Sequence, residues 1–134
     1  MNSQAFVATH GEMAIVTGLK VLSEAAFQAA SAAGWHTDPR TGQPLQRNKG
    51  EMIALMHSEL SEALEAIRKD LMDDKLPHRP GVEVELADLI IRVADFAGKF
   101  KLDLGGAVIE KMRFNAVRSD HKLENRIKAG GKAF

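Results

Sequence analysis

Cysteine is absent from the chain, so neither a disulfide framework nor a thiolate metal site is open to it, which fits a reducing compartment. Tyrosine is also absent, and aromatic residues make up only 5% of the composition. Charge of one sign is missing too: Lys plus Arg and Asp plus Glu both total 18, which removes the global basic field that marks nucleic-acid binding proteins. No apolar run reaches the roughly 18 residues of a membrane span, and the N-terminus lacks the basic segment and long apolar core of a signal peptide. The expectation is a cytoplasmic protein with neither membrane nor nucleic acid among its partners.

What is there points to helix. Over 134 residues, 45% are hydrophobic and 27% charged, with Ala, Leu, Glu and Lys prominent, so an all-α domain with a genuine core is expected. It is read as a single domain over residues 1–134, with a core at about 11–118 and a polar, basic, partly mobile tail at 119–134. Residues 1–10 are weakly patterned and receive no assignment. Apolar residues recur at helical spacing over residues 11–33, with Gly34 as the stop. Further helices are expected over 47–71, capped near Asn48, over 81–100, and from about 105 to 117 or beyond. Pro77 and Pro80 lie in the reversal that sets the second and third antiparallel.

Two pairs of acids stand out. Glu59 and Glu62, then Glu85 and Asp88, are each spaced i, i+3 and so share a helix face. On a helical wheel Glu59 falls inside an apolar sector formed by Met52, Leu55, Met56, Leu60, Ala63, Leu64, Ala66, Ile67 and Leu71. The helix bearing the second pair is apolar nearly all round, except for one wedge of Glu85, Asp88, Arg92 and Asp95. A helix of that kind is usually buried, and its polar strip then faces something specific. An ionised carboxylate out of water must be paired, hydrogen-bonded or metal-bound. Carboxylate oxygens are hard ligands suited to Mg²⁺, so four acids from two packed helices make a candidate metal site. The plainer reading is a set of salt bridges with Arg68, Lys69 and Arg92.

Two other stretches carry chemistry. The loop of residues 35–48 holds turn signals and the only tryptophan, Trp35, next to His36. Trp35 either packs over a helix end, with His36 on the surface, or forms a stacking platform for a nucleobase. On the fourth helix Lys111, Asn115 and Arg118 at i, i+4 and i+7 share a face that suits a polyphosphate, or simply a solvated surface.

The ExxE and ExxD pairs, with 22 residues between them, followed by Lys-x-x-x-Asn-x-x-Arg, resemble the all-α nucleoside triphosphate pyrophosphohydrolases, specifically the single-domain MazG-like branch. The resemblance covers about residues 34–118. It implies a four-helix bundle assembled as a homodimer or a dimer of dimers, an assembly that the apolar third helix also suggests. It further implies cleavage of a nucleoside triphosphate between the α and β phosphates with Mg²⁺, or Mn²⁺ in its place. By the same resemblance Glu59, Glu62, Glu85 and Asp88 are the metal ligands, with Glu59 and Glu62 the catalytic candidates. Lys111, Asn115 and Arg118 then bind phosphates or sugar, and Trp35 and His36 the base. Some members carry a further acid directly before the first pair, where this chain has Ser58.

Three other readings compete. Phosphoribosyl-ATP pyrophosphatase shares the chemistry. A ferritin-type di-metal oxidase needs Glu-x-x-His, and neither Glu59 nor Glu85 has histidine three residues on. A non-catalytic helical interaction module would use the same acids as interhelical salt bridges.

Overall fold

The computed structural model describes residues 11–132, so the leader of residues 1–10 lies outside the described residues. The long helices are α1 (Glu12–Ala32), α2 (Lys49–Lys69), α3 (Gly81–Lys99) and α4 (Leu104–Val117), followed by a 3₁₀ turn at Ser119–His121 and a short α5 (Leu123–Arg126). Among the described residues there is no strand, and the all-α expectation holds. None of the described helices is long and apolar enough to cross a membrane.

Local chemistry sets the helix ends. Gly34 adopts φ +84°, a left-handed conformation that closes α1, with the Trp35 amide donating back to the Ala30 carbonyl. Asn48 caps α2 by accepting from the Glu51 amide, as its position suggested. The helix stops at Lys69 rather than Leu71 because Asp70 turns left-handed, φ 51°, and the Leu71 amide returns to the Ala66 carbonyl. Asp103 caps α4 through the Gly106 amide at 2.9 Å.

The chain divides into two compact units. The larger, Val21–Leu102, contains the α2–α3 hairpin and most of α1. Its reversal is tightly tied: buried Asp73 accepts from the amides of Lys75 and Leu76, and the Gly81 amide donates to Leu71 O at 2.8 Å. The buried strip of α2 is narrow, consisting of Met52, Glu59, Ala63 and Ala66. Small residues let the helices approach, and a Cβ on Gly81 would already lie 3.1 Å from that of Ala66. On α3, Gly98 meets α1 so closely that an added Cβ would collide with the Ser23 carbonyl oxygen and the Phe27 Cβ.

Much of the broad apolar sector read from the wheel is not covered. Leu60, Leu64, Ile67 and Leu71 are exposed, Ile67 to 63%, as are Leu86, Ile90 and Ile91 on α3. Neighbouring helices each cover only a strip, and α2 and α3 carry more apolar circumference than the described residues enclose.

The smaller unit comprises residues 11–20 with 103–132 among those described. Gly105 lies directly against the backbone of Val16, Ile109 is buried, and Arg113 makes a two-pronged ion pair with Glu12.

Glycine packing gives a paired prediction. Gly98→Ala should lower stability by about 1–3 kcal/mol through overpacking against Ser23. Gly18→Ala, with open space around it, should instead gain up to about 1 kcal/mol of helix propensity. Thermal unfolding followed by far-ultraviolet circular dichroism reads both, and equal shifts would mean the α1–α3 contact is looser than described.

Candidate metal centre

Helical spacing places the acids, and the hairpin brings them together. Glu59 faces α3 from the middle of the α2 seam and is only 6% exposed. From α3, Glu85 and Asp88 present carboxylates one turn apart. One oxygen each from Glu59, Glu85 and Asp88 lies within 4.8 Å of the others, close enough to share one cation. Glu62 is exposed and outside this triplet, but it flanks the cluster closely enough to help raise the Glu85 pKa.

The balance of charge here is unusual. Burial, followed by the neighbouring Glu62 and Glu59 carboxylates, pushes the Glu85 pKa up to about 7 from its ordinary 4.5. Asp88 is raised as well, first by burial and then by Glu59, with Arg92 pulling the other way. Arg92 Nε sits 2.5 Å from Glu59 Oε1 and is the positive charge that lets Glu59 remain in the seam. A carboxylate has two oxygens and about four lone-pair sites, so this bond does not exhaust Glu59 as a ligand. Hard oxygen donors crowded until they resist ionisation are a donor set that fits a divalent cation.

A groove of about 570 Å³ opens beside the cluster. Its polar lining includes Glu59, Asp88, Arg92, Asp95 and Arg47, and its apolar lining includes Trp35, Ala26, Ala30, Met52, Leu55 and Ile91. Glu62 and Glu85 border a smaller pocket of about 250 Å³ near Asp73. The acidic triplet is thus divided between the recesses, with Glu59 and Asp88 on the larger and Glu85 on the smaller.

Trp35 is 67% exposed, so it does not pack over a helix end. His36 is not on the surface. It is buried, with Nε2 2.7 Å from Asp95 Oδ1 and its ring 5.2 Å from that of Phe27. The basic residues of α4 belong to the smaller unit. Lys111 Nζ lies 4.8 Å from the centre of the Phe114 ring, and Asn115 Oδ1 is buried without a hydrogen-bond partner. Arg118 falls one residue beyond the helix, in extended backbone, where Asp120 takes its guanidinium in a two-pronged pair. The three are therefore not a continuous helical face.

Arg92, which the sequence offers only as a salt-bridge partner, also lines the groove, together with Asp95 and Arg47. The first two were visible in the charged wedge, at i+4 and i+7 from Asp88. Arg47 carried no such signal, because its bond to the Trp35 carbonyl spans a whole loop. Compared with known proteins, the chain matches no family model, no curated protein and no solved structure.

The raised pKa of Glu85 fixes the sign of a pH effect. Between about pH 4.5 and 7 the folded chain holds a proton that the unfolded chain has released, so stability falls as pH rises through that window. Glu85→Gln should therefore be more stable than wild type above pH 7 and equal to it below 4.5. Chemical denaturation across pH in the presence of a chelator tests this, and a pH-independent difference would show that the acids are not crowded.

Proposed function

We propose that this chain is a metal-dependent nucleoside triphosphate pyrophosphohydrolase of the MazG-like kind, cytoplasmic and assembled as a homodimer or a dimer of dimers. The observation that carries the reading is the meeting of Glu59, Glu85 and Asp88 within 4.8 Å beside a groove large enough for a nucleotide. Mg²⁺, or Mn²⁺ in its place, bound to these oxygens supplies charge neutralisation for phosphate and lowers the pKa of a water.

The chain's own residues account for the rest. Glu59, Glu85 and Asp88 offer the ligand oxygens, with Glu62 beside them. Arg92 holds Glu59 in its orientation and adds a positive charge at the groove wall. The apolar lining under Trp35 suits a base, while the charged end suits phosphates. In the reaction a water attacks the α-phosphorus, the bond to the bridging oxygen breaks, and nucleoside monophosphate and pyrophosphate leave. Glu59 and Glu62 are the candidates to take the proton, and Glu62 is the more available because it is exposed and lies outside the triplet. Lys111, Asn115 and Arg118 remain candidates for the phosphates or sugar.

The exposed ridge of Leu60, Leu64, Ile67 and Leu71 supports self-association, since apolar surface left open on two adjacent helices favours burial. It equally favours a second reading, a helical interaction module in which Glu59 and Arg92 are a structural pair. Phosphoribosyl-ATP pyrophosphatase differs from the first reading only in substrate.

Pyrophosphate release from a panel of NTPs, dNTPs and phosphoribosyl-ATP with Mg²⁺ separates these. Wild type should cleave at least one member, and Glu59→Gln should lose about 100-fold or more, because even outer partners of metal ligands are worth 10–100-fold. A panel with no cleavage and no Mg²⁺ binding would leave the interaction module as the better account. Sedimentation should show a dimer or tetramer that Leu64→Glu with Ile67→Glu converts to monomer; a monomeric wild type would count against assembly through this ridge.

A further inference from the structure

Trp35 is the aromatic wall of the groove, yet it stands on a loop, and an indole this exposed has little packing of its own to hold it. The residue after it is held far more firmly. His36 is 6% exposed and reaches across to α3, where Asp95 lies on the same charged strip as Asp88 and Arg92. The Asp95 side chain is itself only 15% exposed, and the 2.7 Å contact joins residues 59 positions apart. Because a carboxylate can only accept, Nε2 carries the proton, which leaves the buried Nδ1 without a partner. Packing against Phe27 does not call for an imidazole here; a wholly apolar side chain would fill the space without an orphan nitrogen. What the histidine adds is its bond to α3. Arg47 Nη1 also donates to the Trp35 carbonyl at 2.9 Å and the Trp35 amide donates to Ala30 O, so the backbone at the tryptophan is tied at both of its peptide groups.

We propose that His36 is a positioning residue. Through Asp95 it holds the Trp35 wall at a fixed distance from the acidic strip of α3, and it does not itself touch the nucleotide. His36 is indeed absent from the lining of the groove, whereas Trp35 and Asp95 are both part of it. The inference rests on the nucleotide reading above and replaces the direct base contact that the family resemblance implied for His36. A base stacked on Trp35 is then presented at one distance from the metal-binding oxygens, and the hydrogen bond sets that distance.

Trp35 is the only tryptophan in the chain, so its fluorescence reports this wall alone. Time-resolved anisotropy of the full-length protein should show Trp35 moving with the whole molecule in wild type. In His36→Leu, which fills the space but removes the donor, amplitude should pass to a nanosecond component. His36→Gln keeps a donor that reaches Asp95, and it should restore the wild-type decay. With the nucleoside triphosphate cleaved fastest in the panel, KM should rise about tenfold in His36→Leu, the scale of one lost stacking contact, and by more than kcat falls. His36→Gln should recover most of that change.

Unchanged anisotropy and KM in a folded His36→Leu protein would overturn the positioning role while leaving the hydrolase reading intact. If His36→Leu does not fold, Asp95→Leu breaks the same bond from the other side and is read by anisotropy alone, because Asp95 also lines the groove. If neither folds, the pair holds the fold rather than the wall, and the proposal fails. A wild type that cleaves nothing removes the hydrolase reading and the KM arm, while the anisotropy still decides whether His36 anchors Trp35.

Discussion

A carboxylate sits in the seam between two helices, and the rest of the larger unit is arranged around it. Glu59 is buried, as are Met52, Ala63 and Ala66 on the same helix, a place where an uncompensated charge would cost several kcal/mol. Arg92 meets it from α3, and that contact favours one register of the hairpin. The tied reversal at Asp73 and the close approach at Gly81 serve the same register from the end of the hairpin.

One arginine does not neutralise the neighbourhood. Glu85 and Asp88 stand beside Glu59, and Glu62 stands beside Glu85, so acids outnumber bases along this strip. Burial and mutual repulsion together raise the pKa of both α3 acids, which is a stability cost at neutral pH. A fold selected for stability alone would place apolar residues or alternating charges here. A cation at these oxygens, as proposed, would offset that cost.

The groove joins this acidic strip to the loop after α1, and the His36–Asp95 bond is the link between them. Its importance is geometric, because an exposed aromatic on a loop recognises a ligand only as well as the loop is held. The apolar ridge along α2 is a separate matter. It is open surface on one of the two helices that carry the acids, so whatever covers it would also stiffen the hairpin that sets the site.

Periodicity and capping chemistry made most of the helical layout legible. The 3.6-residue pattern, Gly34, Asn48 and the two prolines of the reversal place four long helices to within two residues at each end, because these are local properties of the chain. Glu59 could also be recognised as a buried acid, since its angle on the wheel is independent of what packs there. Local pattern does not say which of several apolar strips a neighbour covers, so Leu64 and Ile67 read as core and lie open. Nor does it say how far a side chain reaches across a gap. That three acids converge while Glu62 stands aside, that Arg92 rather than Arg68 pairs with Glu59, and that His36 turns inward while Trp35 turns outward were decided by tertiary contacts 33 and 59 residues apart. Bonds of that span depend on where the loops return the chain, and no short-range preference of the residues themselves encodes that.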